Sequence, residues 1–145
     1  MDMYEQLVQS YLTIFEHLAV IPQFPVLFND KGEPCFHEGP GTLAWDAFPD
    51  FLAVDMRGHQ AQVIEVNKSR YPDKISSLVR RTLENRERVE SYVRWFVSDA
   101  RPIRWRFFVR RNMVDRLKRE IEAGGIQPGI TTLEEVFDKL RDVMP

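Results

Sequence analysis

Apolar residues Tyr4, Leu7, Tyr11, Ile14, Phe15 and Leu18 recur at steps of three and four, which predicts a first helix over residues 4–18 with one buried face. Pro22 and Pro25 then end it, because proline lacks the backbone donor and clashes with the preceding turn. Residues 24–29 read as a short strand, Asn29-Asp30-Lys31-Gly32 as a turn, and residues 34–37 as a return strand before Gly39-Pro40-Gly41 breaks the chain. A clearer hairpin follows: apolar Phe51-Leu52-Ala53-Val54, a turn at Arg57-Gly58-His59, and a β-branched run over residues 61–66. Tyr71-Pro72-Asp73 suits a first helical turn, and Ile75, Leu78, Val79, Leu83, Val89, Tyr92, Val93 and Phe96 predict a long amphipathic helix to Ser98.

Beyond Pro102, Ile103, Trp105, Phe107 and Val109 alternate with Arg104, Arg106 and Phe108, the pattern of a half-buried strand with a basic outer face. Two helices finish the chain. One covers residues 111–123 and stops at Gly124-Gly125; the other covers 133–143, capped by Thr131 with Glu134 or by Thr132 with Glu135. A strand that returns after a long crossover helix lies parallel to one already in the sheet. The expectation is an α/β fold with a mixed sheet of about four strands flanked by helices. Trp95 and Trp105 each fall in an amphipathic element and read as core.

Composition narrows the class. A length of 145 residues, 43% of them hydrophobic, suits one folded domain. No apolar run approaches the roughly 20 residues of a membrane span, and Met1-Asp2-Met3-Tyr4-Glu5 lacks the basic start of a signal peptide, so a soluble, cytoplasmic protein is expected. Cys35 is the single cysteine, which excludes an internal disulfide and a thiolate metal cluster and reads as a partly buried thiol. The formal net charge of −2 conceals a segregation. Residues 1–66 hold two basic and ten acidic side chains, residues 67–119 sixteen and six, and residues 120–145 two and six. Such a split suits a protein that holds a polyanion beside gathered carboxylates, or one whose halves neutralise each other on folding.

The chain has no H-E-x-x-H, G-x-S-x-G or glycine-rich phosphate loop, and His17, His37 and His59 are scattered, which counts against zinc proteases, serine hydrolases and P-loop enzymes. Two acids stand out by placement. Asp50 opens the first hairpin strand and Glu65 lies near the end of the second, so that both carboxylates can meet at one edge of the sheet. Paired carboxylates with open positions are the usual protein share of a Mg²⁺ site acting on phosphates. The plainer alternatives are a turn acid after Pro49 and a Glu65 paired with an arginine across the sheet.

Pro49-Asp50, 14 intervening residues, and Glu65-Val66-Asn67-Lys68 resemble the PD-(D/E)XK signature of the restriction-endonuclease-like nucleases. The resemblance covers about residues 1–110 and implies an α-β-β-β-α-β core, with residues 111–145 as a helical appendage. It implies DNA phosphodiester hydrolysis with Mg²⁺ or Mn²⁺ held by Asp50 and Glu65, joined by a first-helix acid, Glu16 or Glu5. The rival for those two glutamates is a solvated helix face. The pattern departs at Asn67, where the resemblance requires lysine: asparagine can hold a water but carries no charge. Lys68, on the opposite face of the strand, and Lys74, in the first turn of the long helix, are the nearest replacements. A working variant and a decayed, noncatalytic binding or protein-interaction domain are both consistent with that departure.

DNA is the expected partner. Arg80 and Arg81 lack an obvious helical ion-pair partner, whereas Arg86 with Glu90 and Glu90 with Arg94 are spaced to pair. Arg104, Arg106 and Arg110 share a face of the last strand, with Arg111 adjacent, and arginine fits phosphate geometry. Cover of that face by the acidic C-terminal helix is the rival. A nuclease of this size would need a homodimer or a partner subunit to engage both strands of a duplex.

Overall fold

The computed structural model describes residues 1–39, 41–44, 49–55, 57, 60–97 and 102–143. The expected turn at Gly58-His59, the helix end at Ser98 and the chain break at Pro40 lie outside the described residues. The central sheet has five strands in the order β1 (Leu18–Pro22), β4 (Phe51–Asp55), β5 (Ala61–Asn67), β6 (Ile103–Val109) and β7 (Gly129–Thr132). β1–β4 and β4–β5 pair antiparallel, and β5–β6 and β6–β7 parallel, so the sheet is mixed as expected. A small second sheet pairs β2 (Leu27–Phe28) with β3 (Leu43–Ala44).

Strand alternation sends side chains to two helical layers. Leu52, Val63, Trp105, Phe107 and Val109 face α2 (Pro72–Val97) and α3 (Val114–Ala123), packing on Leu78, Val93, Leu117 and Ile121. Phe51, Ala53, Ile64 and Phe108 face α1 (Met3–Phe15) and α4 (Leu133–Arg141), packing on Val8, Leu12, Leu133, Val136 and Leu140. Each fully buried side chain of this kind contributes about 1.5–3 kcal/mol. A polar link also ties the two helices of the first layer, because the Ser76 hydroxyl donates to Glu120 on α3 at 2.9 Å.

The differences from the sequence expectations have identifiable causes. The first helix stops at Phe15 rather than Leu18, because His17 turns the chain at φ 56° and the next residues become β1. Leu18 satisfies either period, and the following β-branched run prefers the sheet, where Ile21 joins one core and Leu18 and Val20 the other. The turn at Asn29 forms as expected, its Oδ1 accepting from the Lys31 and Glu33 N–H groups, but the return strand shrinks to one bridge, Phe28 with Pro34. Residues 111–145 supply helices to both layers, and also β7, an edge strand that was not foreseen. β7 makes β6 an interior strand, so the expected half-buried strand with a basic outer face is instead buried from Trp105 to Val109.

Of the two tryptophans, Trp105 is core and its Nε1 donates to Glu90 at 3.0 Å. Trp95 is not: it is 41% exposed and rests on Phe36, their ring centroids 4.5 Å apart. α3 ends at Gly124-Gly125, where Gly125 takes φ 89° and a Cβ on Gly124 would collide with Leu83. α4 uses the second of its two possible caps, Thr132 Oγ1 accepting from the Glu135 N–H at 3.1 Å. Cys35 is free and partly buried, as expected.

Candidate active site

The β4–β5 register pairs Phe51 with Ile64, which sets Asp50, one residue before β4, across from Glu65. Directly opposed side chains on antiparallel strands have Cβ atoms about 4.5–5.5 Å apart. Both acids lie on the face covered by α2, and their carboxyl groups are within hydrogen-bonding reach of each other. The Val66 N–H donates to Asp50 Oδ2 at 2.7 Å and fixes that side chain.

A third carboxyl comes from α1. Asp2 and Glu5 form a capping box at the helix start, and Glu5 reaches Asp50. Burial pushes the Asp50 carboxyl from its ordinary 3.8 up to about 6, with Glu5 adding to the rise and the Val66 N–H opposing it. Glu65 is 5% exposed, and burial drives its carboxyl well above the usual range; Asp50 adds to this and Arg81 opposes it. The guanidinium of Arg81 approaches from α2, its Nη2 3.2 Å from Glu65 Oε2.

Among the described residues, no group of three or more His, Cys, Asp or Glu side chains forms a ready metal cage. The Asp50–Glu65 pair nonetheless fits a hard divalent cation, since its donors are all carboxylate oxygens and Mg²⁺ is commonly held by one or two carboxylates with water and phosphate completing the shell.

Glu16 is not brought to this pair. It sits at the other end of α1, about 16 Å along the helix from Glu5 at 1.5 Å per residue, and its carboxylate grips Arg106 through contacts of 2.5 and 2.6 Å. Of the two candidate acids on the first helix, Glu5 is therefore the one at the site. The capping pattern Asp2-Met3-Tyr4-Glu5 locates Glu5 at the helix start, but which helix end faces Asp50 depends on how α1 packs.

The residues expected to support a water are spread around the end of β5. Asn67 lies on the Glu65 face by alternation, and its Oδ1 accepts from the Ser69 N–H at 2.9 Å, turning the chain. Lys68 points to the other face, its Nζ 3.8 Å from Asp2 and 5.6 Å from the Tyr4 ring centroid. Lys74 is exposed at the start of α2 and shares with Asn67, Lys68, Ser69 and Tyr4 a cleft of about 390 Å³. The charge beside Glu65 thus comes from Arg81 rather than a lysine. Arg81 stands three residues after Leu78 on α2, at the margin of the buried stripe, and that spacing is the signal for its position.

The expected phosphate-binding arginines separate into groups. Arg110 stays at the site end of the sheet, donating through Nε to the Lys68 carbonyl at 2.5 Å and through Nη2 to the Tyr4 hydroxyl at 3.0 Å. Arg80 is exposed on α2, next to Arg81. Arg104 is exposed at the opposite end of β6, its guanidinium lying over Gly129. Arg111 keeps an exposed side chain and donates its backbone N–H to Glu134 at 3.0 Å. Arg106 is buried and committed: beyond Glu16 it donates to Gln62 and to Thr131 Oγ1, and it stacks on Phe108. The expectation that it reaches a phosphate is therefore corrected, because β7 and α4 close over that face.

No known protein family matches the chain, and no curated protein or solved structure matches it. Among the described residues, no helix is long and apolar enough to cross a membrane.

Proposed function

We propose that this chain is a metal-dependent nuclease of the PD-(D/E)XK type, acting in the cytoplasm on DNA phosphodiesters through Asp50 and Glu65. The observation that carries the reading is the register that sets these two carboxyls against each other, both pushed toward the protonated form, beside a cleft lined by Lys68 and Lys74. Two carboxyls crowded out of water are a poor arrangement for an empty protein and a good one for a divalent cation. Mg²⁺ or Mn²⁺ held by Asp50 and Glu65 supplies charge neutralisation at the phosphate and acidifies water. Arg81 provides the permanent positive charge that Asn67 lacks, and being always protonated it stabilises developing negative charge instead of accepting a proton. The Asn67 amide orients a water, and Lys68, Lys74 and Arg110 hold the backbone. Engagement of both strands of a duplex requires a second copy or a partner subunit.

The test is cleavage of plasmid and single-stranded DNA with Mg²⁺ or Mn²⁺. Cleavage lost in both Asp50→Ala and Glu65→Ala is expected, while a wild-type chain that cuts neither substrate overturns the proposal. A second reading, a nucleic-acid-binding domain of the same fold without catalysis, is favoured by the Arg81–Glu65 ion pair and by the engagement of Asn67 in its own turn. It predicts salt-sensitive DNA binding with no cleavage.

A further inference from the structure

Two clefts of similar size and opposite character flank the acid pair. The one beside Asn67, of about 390 Å³, is lined by Lys68 and Lys74 together with Asp2, the partner of Lys68 at 3.8 Å, so its balance is cationic. The other, of about 400 Å³, opens beside Asp50 and Glu5 and is walled by Met1, Gln23, Pro25 and Pro49. Among the described residues lining this second cleft there is no lysine, arginine or histidine; apart from the two acids, its polar side chain is the Gln23 amide. Its volume falls in the range of small-ligand sites.

Gln23 is held rigidly for a surface residue. Its backbone takes φ 51°, the left-handed region that glycine and asparagine favour, and its N–H donates to the Asp50 carbonyl at 2.9 Å. Its neighbour Phe24 is buried, edge-on to Tyr92 and Phe96 with centroids at 5.4 and 5.0 Å. One side of Gln23 is therefore tied to the acid-bearing strand and the other to the α2 core.

We infer that the Met1–Gln23–Pro25–Pro49 cleft seats one unpaired nucleobase of the strand whose phosphate lies at Asp50 and Glu65, so that the substrate class is single-stranded or frayed nucleic acid. A nucleotide has the polarity of the two clefts: an anionic phosphate suits the lysine side, and a flat base with apolar faces suits walls of proline and methionine. The Gln23 amide offers both a donor and an acceptor to a base edge. A base still paired in a duplex cannot enter without being unstacked, which costs binding energy that a single strand does not spend. The inference rests on the reading of Asp50 and Glu65 as the cleavage site.

The experiment is fluorescence anisotropy of a labelled oligothymidylate, an abasic oligonucleotide of equal length, and an oligothymidylate–oligoadenylate duplex, each with the full chain at low salt in Ca²⁺. Wild type is expected to bind oligothymidylate at least about tenfold tighter than the other two, an energy of about 1.4 kcal/mol. Gln23→Ala and Gln23→Gly are both expected to lose most of that preference while binding the abasic strand as wild type does. The glycine variant relieves the left-handed backbone, so loss of fold does not account for its result. Equal binding of the abasic and base-bearing strands, or a preference that survives in Gln23→Gly, overturns the inference. A chain that cuts DNA yet binds both strands equally sinks the base cleft alone. Base-dependent binding by a chain that cuts nothing supports the cleft and sinks the nuclease reading.

Discussion

Two charged clusters lie on opposite faces of the same sheet, and they differ in how their charge is balanced. On the α1/α4 face, the Arg106 side chain, 9% exposed, meets Glu16, Gln62 and Thr131, so its cation is matched by an anion and its remaining donors by acceptors. On the α2 face, Asp50 and Glu65 oppose each other, Glu5 reaches Asp50 from the start of α1, and among the described residues the cation paired with Glu65 is Arg81, which is half exposed. The first cluster is complete within the chain. The second reaches neutrality only by taking up protons or an external cation, and protein sites left in that condition are the usual hosts of catalysis. Comparison of the two separates a buried arginine whose charge is matched within the fold from acids whose charge is not, although the sequence offers both as isolated charges on strands.

The largest expected effect breaks the matched cluster. Arg106→Met leaves Glu16 without its cation and strands the polar groups of Gln62 and Thr131; the cost is about 3 kcal/mol, the low end for a broken buried pair because Glu16 keeps some access to water. Urea denaturation measures it, and a second change, Glu16→Leu, should recover part of the loss. A cost under about 1 kcal/mol would mean that this cluster is not what holds the α1/α4 face.

The unmatched cluster predicts the opposite sign. Between pH 4 and 6 the folded chain, with Asp50 at about 6 against an ordinary 3.8, binds more protons than the unfolded chain, so stability must fall as pH rises through that window. The difference is worth up to about 3 kcal/mol at about 1.4 kcal/mol per pH unit. Glu65, raised by burial and by Asp50, pulls the same way. Asp50→Asn should therefore stabilise the chain by about 2 kcal/mol at pH 7 and flatten its stability between pH 4 and 6. A destabilised asparagine variant would contradict the account of crowded carboxyls.

The smallest effect sharpens the contrast without any assay of cleavage. At pH 7, 10 mM Mg²⁺ with a dissociation constant of about 1 mM should add about 1.4 kcal/mol to the wild type, following the linkage of ligand to folding. Asp50→Asn should gain nothing, whereas the Arg106 variant should gain as much as wild type. Thermal unfolding with and without the ion measures all three chains.

Much of this architecture was legible because it is written in local periods. The 3.6-residue repeat from Ile75 to Val93 marks α2, the alternation from Ile103 to Val109 marks β6, and the crossover between them leads to the parallel β5–β6 pair. The Asp50–Glu65 pairing could be read as well, since two strands joined by a short turn bring the start of one to the end of the next. β1 was hidden because Leu18 continues the helical spacing of α1. β7 was hidden because Gly129–Thr132 is too short to show a period and ends in the cap of α4.

By itself, then, the sequence determined the elements with a clear period, the mixed character of their sheet, and the hairpin that opposes two acids. Only the tertiary structure decided that Glu5 rather than Glu16 joins them, that Arg81 supplies the neighbouring charge, and that Arg106 is buried. Local pattern dictates which residues share a face, because that follows from backbone geometry. Which end of a helix meets a strand, and what covers a face, depends on packing between elements distant in the chain. The formal charge of −2, 20 basic against 22 acidic side chains over the whole chain, describes neither cluster.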